Sequence, residues 1–178
     1  MYRKPLLSLL HQHTPADKQE QAMTEETITF VRANPDCFDR SLLVGHITGS
    51  AWICSPDRQQ VLLIHHRKLD RWLQPGGHAD GDPNVAAVAL REAQEETGLA
   101  SLRLLSDSIF DVDIHEIPTR KEAPAHLHYD IRFCFEADPL EPFGNSGEIK
   151  NIQWFSLKDA KELANERSIS RMLEKKVQ

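Results

Sequence analysis

The chain has 178 residues, a net charge of −6 at neutral pH and a sequence pI of about 5.8, with 40% hydrophobic and 27% charged residues. Its length fits one domain around one core, and its composition is that of an ordinary soluble globular protein. The acidic balance argues against a long nucleic-acid partner, which usually needs a basic stripe, but admits small phosphorylated ligands whose charge a metal ion can offset.

The chain opens Met1-Tyr-Arg-Lys-Pro-Leu-Leu-Ser-Leu-Leu10, in outline a basic start with an apolar core. His11-Gln12-His13 ends the apolar part at once, and no small-residue cleavage site follows. Residues 5–33 read as two short helices broken near Thr14-Pro15, with Leu6, Leu7, Leu9 and Leu10 forming one apolar cluster. Thr14 would cap the second helix, with Pro15 at its first position, and Asn34-Pro35 would stop it. Such a segment is too small for a core of its own and suits a structural cap or a homodimer contact.

From Gly45 the pattern changes to strands. Residues 46–54 and 61–66 flank Ser55-Pro56-Asp57 and predict a hairpin. Gln74-Pro75-Gly76-Gly77 predicts a tight turn. A helix is expected from about Pro83 to Thr97, with Asp82 as N-cap, Pro83 at its first position and Gly98 at its C-terminal cap. Residues 126–136 alternate, with Leu127, Tyr129, Ile131, Phe133 and Phe135 on one face and His126, His128, Asp130 and Arg132 on the other. A last strand near 151–155 leads into polar helices. Strands with helices before, between and after them point to a layered α/β arrangement. Cys37, Cys54 and Cys134 are odd in number and lack metal-site spacing, and no stretch approaches the ~20 apolar residues of a membrane span. Both features suit reduced thiols in a cytoplasmic protein.

The chemistry concentrates in Arg91-Glu92-Ala93-Gln94-Glu95-Glu96-Thr97-Gly98-Leu99. Glu92, Glu95 and Glu96 stand at i, i+3 and i+4 and so share a helix face. A solvated acidic face is the ordinary explanation of such a cluster. Here the three glutamates continue the line of Val85, Val88 and Ala89, beside a second stripe of Ala86, Leu90, Ala93 and Thr97. Asn84, Ala87, Arg91 and Gln94 are left for solvent. An acidic cluster that extends an apolar stripe points into a groove. There, like charges repel more strongly than on an exposed helix, and a hard divalent cation such as Mg2+ would offset them through carboxylate oxygens. Gly76-Gly77 would allow positive φ and close backbone approach, and a backbone carbonyl there could join the metal ligands.

The stretch from Gly77 to Leu99 resembles the Nudix box: Gly, five residues, Glu, seven residues, then Arg-Glu-aliphatic-x-Glu-Glu-x-Gly-aliphatic. Gly77, Arg91, Glu92, Glu95, Glu96, Gly98 and Leu99 fall in register, and Ala93 takes the aliphatic position. Trp72-Leu73-Gln74-Pro75 resembles the usual lead-in, and Glu148 with Trp154-Phe155 resembles the last core strand. The likeness spans roughly residues 45–165. It divides the chain into an N-terminal helical extension (1–40) and a Nudix hydrolase domain (41–178). One position departs: the first box glutamate, which mainly braces the box arginine, is replaced by Pro83. Asp80 or Asp82 could brace Arg91 instead, or Arg91 could pair with its helix neighbours.

The resemblance implies an α/β/α sandwich with a mixed sheet that cleaves a phosphoanhydride bond in a nucleoside diphosphate linked to another group. Glu92, Glu95, Glu96 and the Gly77 carbonyl would hold Mg2+ or Mn2+, with Arg91 and Gly98 as structural parts of the box. Glu92 and Glu95 would take part in catalysis, and Glu148 is the leading candidate base from a distant loop. His78, His128, Asp130 and Arg132 would line the substrate pocket, which His65, His66 and His126 could join. Three other functions belong to different classes. An isomerase like isopentenyl diphosphate isomerase needs an active-site cysteine motif, which none of the three cysteines shows. A non-catalytic nucleotide sensor typically loses the box glutamates, which stand here. Removal of pyrophosphate from an RNA 5′ end is chemically open but disfavoured by the acidic balance.

Overall fold

The computed structural model describes residues 2–119, 124–144, 147, 149–163 and 167–177. Two N-terminal helices, α1 (Lys4–Gln12) and α2 (Lys18–Ala33), precede β1 (Gly45–Cys54), β2 (Gln60–His66), β3 (Arg71–Leu73) and β4 (Gly76–His78). Helix α3 (Val85–Thr97) leads to β5 (Arg103–Leu104), β6 (Asp111–Ile117), β7 (His126–Glu136) and β8 (Ile149–Ser156). Helices α4 (Leu157–Leu163) and α5 (Arg167–Glu174) complete the fold.

The frame is the parallel pair β1 and β7, in continuous register from Gly45↔Leu127 to Cys54↔Glu136. On the other side of β1, β4 runs antiparallel to its first half. Strand β2 meets β1 only at Ile53↔Leu62 and Cys54↔Val61. It then diverges to pair with β3 and, along its length, with β8. Strand β6 covers the outer side of β7, and β5 extends it. The result is a curled mixed sheet with helices on both sides, an α/β/α arrangement. The hairpin of β1 and β2 therefore exists, but its arms separate after two residue pairs.

Alternation in β1 and β7 decides which side is which. Ile47, Ala51, Ile53, Tyr129, Ile131, Phe133 and Phe135 form one core with residues of α1, α2 and α3. Leu6, Leu10, Phe30 and Val31 belong to this same core, and Phe30 stacks on Tyr129 at 3.9 Å. A second cluster, including Trp52, Leu63, Cys134, Ile169 and Met172, lies on the other side beneath α4 and α5. The N-terminal helices thus pack as part of the sheet's own core.

Three local expectations are corrected. Helix α2 starts at Lys18 and is capped by Asp17, whose carboxylate accepts the Glu20 N–H at 2.7 Å, not by Thr14 with Pro15. Helix α3 starts at Val85, with Asn84 as cap, and Asp82 instead accepts the Asn84 N–H at 2.8 Å. Asp80 and Gly81 both take positive φ in the turn before Pro83, so the chain is still reversing where the helix was expected to begin. Gly76 and Gly77 do not form a turn but open strand β4, and neither has positive φ. The stop at Asn34 and the left-handed cap at Gly98 (φ 74°) are as expected.

Candidate active site

Helix α3 lies on a floor of two glycines that are register partners, Gly49 of β1 and Gly77 of β4. A Cβ on Gly49 would sit 2.8 Å from the Val85 carbonyl, and one on Gly77 would sit 2.2 Å from a Glu92 carboxylate oxygen. Any side chain here would lift the helix or displace the carboxylate, so the glycines are required for close approach. With the helix seated, Glu92 rests against Gly77, and a Glu96 oxygen accepts the Gly76 N–H at 2.9 Å. The Glu92 side chain is 19% exposed, whereas that of Glu95 is 64% exposed at the rim.

Arg91 links the same parts. Its guanidinium donates to the His78 carbonyl at 2.9 Å and to Glu92 at 2.8 Å, and lies 3.9 Å from Glu95. This settles how the arginine is held beside Pro83: Asp80 pairs with Arg40, Asp82 serves the α3 cap, and Arg91 bonds to helix neighbours and β4. The neighbouring carboxylates, Glu92 first, hold the Arg91 pKa above its ordinary value. The Glu92 and Glu96 carboxylates, both set against the β4 backbone, offer hard oxygen donors of the kind a cation such as Mg2+ takes, while Glu95 stands apart at the rim. Glu148 lies outside the described residues.

The polar face of β7 divides into two zones. At its inner end, Asp130 accepts hydrogen bonds from Thr48, Ser50 and Arg132 at 2.9, 2.8 and 2.7 Å. Arg132 also reaches Asp111 and Asp113, each at 3.2 Å, and Arg171 of α5 bonds to Asp111 at 2.8 Å. Asp130 and Arg132 are only 1% and 2% exposed, so both are enclosed in an ion network rather than presented to an open cleft. At its outer end, His128 and His126 stand beside His46 of β1 and His78 of β4, with ring centroids 4.8 to 5.2 Å apart. His78 and His128, singled out in the sequence, are therefore neighbours. His65 and His66 lie elsewhere, on β2, where His65 stacks on Trp72.

Several residues of this region escaped the sequence reading. His46 belongs to no motif, although His46-Thr48-Ser50 alternates with Ile47-Gly49-Ala51 in the same way as β7. Strand β6 was missed despite the alternation of Asp111-Val112-Asp113-Ile114-His115, and it supplies two carboxylates of the network. Cys37, Cys54 and Cys134 are 0%, 2% and 6% exposed.

Comparison with known proteins places the chain among its relatives. The NUDIX domain model matches residues 46–175. A probable DHNTP pyrophosphohydrolase from Lactococcus lactis subsp. cremoris is 26% identical over 113 residues, covering 62% of this chain and 63% of the relative. An RNA pyrophosphohydrolase from Acidiphilium cryptum is 32% identical over 88 residues, covering 49% and 42%. The chain thus matches less than two thirds of the length of these curated relatives. Among solved structures, a C. elegans Ap4A hydrolase binary complex superposes with a TM-score of 0.58 at 17% identity, covering 71% of this chain and 91% of that one; at that identity it speaks to the fold alone. With the box register placed on a helix seated against its own glycine, and a family match that spans most of the sequence, the chain belongs to the Nudix family of hydrolases.

Proposed function

We propose that this protein hydrolyses a phosphoanhydride bond in a nucleoside diphosphate linked to another group, with Mg2+ as cofactor and Mn2+ as an alternative. The observation that carries this reading is the seating of Glu92 and Glu96 against the Gly76-Gly77 backbone. Glu92, Glu96 and the Gly77 carbonyl would hold the metal, with Glu95 completing the set from the rim. Bound there, Mg2+ would offset charge on the pyrophosphate oxygens and make a water more acidic for in-line attack at phosphorus.

The remaining work falls to the chain itself. Arg91 fixes the Glu92 carboxylate while tying α3 to the His78 carbonyl, so the acidic face keeps its distance from β4. Glu95, the most exposed of the three, would accept the proton of the attacking water, with Glu148 as the other candidate base. His78 and His128 line the polar wall of the pocket on β4 and β7. Asp130 and Arg132 act on the pocket from behind, holding β1, β6 and β7 in register beneath it. The names of the two curated relatives, both pyrophosphohydrolases, support the bond type.

The test is a turnover screen with Mg2+ over nucleoside triphosphates, nucleotide sugars, dinucleoside polyphosphates, dihydroneopterin triphosphate and 5′-triphosphorylated RNA. At least one diphosphate linkage should be cleaved, and Glu96→Gln should abolish that cleavage while the protein stays folded. Silence across the whole panel would sink the enzyme reading, and full activity in Glu96→Gln would sink the site.

A further inference from the structure

Outside the acidic helix, the sheet carries a second group of potential ligands. His46 of β1 is the register partner of His128 on β7, and His128 is in turn the partner of His115 on β6. His78 of β4 pairs with Thr48, two residues along β1 on the same face. Adjacent strands lie about 4.8 Å apart, so side chains on this shared face are brought into contact. One nitrogen from each of His46, His78 and His128 lies within 4.8 Å of the other two.

Two of the five histidines here are already engaged. His115 faces the Asp113 carboxylate at 3.4 Å, and His126 Nδ1 bonds to the Pro124 carbonyl at 2.9 Å. The other three differ. His46 is only 3% exposed, and neither ring nitrogen has a hydrogen-bond partner among the described residues. A backbone contact with Leu42 raises its basicity without meeting hydrogen-bond geometry. His128 Nε2 is likewise buried and unpartnered. Leaving such nitrogens unsatisfied costs stability, and in a folded protein they call for a ligand.

We propose that His46, His78 and His128 form a site for a borderline divalent transition-metal ion, with Zn2+ the best match, on the side of β4 away from the α3 glutamates. Alternation along β4 turns the Gly77 position toward Glu92 and the His78 side chain the opposite way, so the two ligand sets are distinct. Three imidazoles select Zn2+ over Mg2+ because Mg2+ prefers hard oxygen donors. Zn–N bonds of about 2.0–2.1 Å put tetrahedral nitrogens roughly 3.4 Å apart, so closure from the present spacing needs on the order of an ångström of side-chain rotation. Three protein ligands leave a fourth position for water or a substrate oxygen.

A metal takes neutral imidazoles, and burial favours the neutral form of both His46 and His128. Arg40, the nearby cation, is paired with Asp80.

The experiment uses the full chain, stripped of metal by chelation and titrated with Zn2+ alone in Mg2+-free buffer. Wild-type protein should bind one equivalent. His46→Gln and His128→Gln should each weaken binding beyond the roughly 10–100-fold typical of losing an outer-sphere partner. Glu92→Gln/Glu96→Gln and His115→Gln should bind like wild type. X-ray absorption at the zinc edge of the wild-type complex, which needs no variant to fold, should show imidazole nitrogens and no sulfur. Retention of affinity in both His46→Gln and His128→Gln, loss in Glu92→Gln/Glu96→Gln, or sulfur-ligated or all-oxygen zinc would each overturn the assignment.

Discussion

At the scale of single residues, the proposed active site depends on one missing carbon. Gly77 is extended, so its value lies in the space that Glu92 fills. The atom a Cβ would strike is the far end of a flexible side chain, which can swing away without unseating the helix. Gly77→Ala should therefore leave the melting temperature nearly unchanged while lowering kcat/KM on the order of 100-fold, the scale of an ångström-sized misplacement. A large loss of stability with activity intact would show that the glycine serves the fold instead. Glu148 poses a different question, since Glu95 stands on the helix as an alternative base. Glu148→Gln should reduce kcat far more than it weakens Mg2+ binding, read by steady-state kinetics against metal titration. An unchanged kcat would leave Glu95 to take the proton.

At the scale of elements, the seating of α3 depends on how it begins. Asn84 accepts the Ala87 N–H, and Asp82, two residues earlier, supports the cap by accepting the Asn84 N–H. Asn84→Ala should cost about 1 kcal/mol, or roughly 2–4 °C in melting temperature for a chain of this size. Asp82→Ala should cost less, and the reverse order would restore Asp82 as the cap. The ambiguity explains what the sequence could and could not reveal. Asp82-Pro83 and Asn84 both satisfy the rules for a helix start, and only the reversal at Asp80-Gly81 decides between them. The helix itself, its left-handed end at Gly98 and strand β7 were legible because their periodicities run over many residues. Strand β4 was not, because Pro75-Gly76-Gly77 looks the same whether glycine supplies positive φ or room for a carboxylate. The enclosure of Asp130 and Arg132 was also hidden. Alternation says which residues share a face but not that α5, far along the chain, covers it with Arg171. His46 was overlooked for a related reason: only parallel pairing across 82 positions brings it beside His128.

At the scale of the whole molecule, both ends of the chain are tied to the sheet through one buried network. Glu20 of α2 accepts from the Val112 N–H of β6 at 3.1 Å and from Lys175, just beyond α5, at 2.6 Å. His13 and the Ala16 N–H also bond to it, at 2.8 and 2.6 Å. Lys175 and Arg171 both reach Asp111, whose other neighbour, Arg132, leads to Asp113 and Asp130. Burial pushes the Glu20 and Asp113 carboxyls upward. For Glu20 the bonds from His13, Ala16 and Lys175 outweigh that push and hold it well below the usual range. For Asp113 the charge of Arg132, the His115 bond and Arg171 do the same, leaving it near 2. A carboxyl whose folded value lies below its unfolded one stabilises the protein fully above the unfolded value, and that contribution fades as pH falls toward the folded one. The contribution of Asp113 should therefore persist down to about pH 4 and disappear toward pH 2. Asp113→Asn removes one of the three carboxylates around Arg132 and should lose roughly 2–3 kcal/mol at pH 7, the contribution of a carboxyl held near 2. Urea unfolding of variant and wild type across this range would show it, because their difference cancels every group that titrates alike in both. The gap should narrow below pH 4. A gap that stays constant to the lowest pH would mean that Asp113 stabilises the fold by packing, and that its pairing with Arg132 adds nothing.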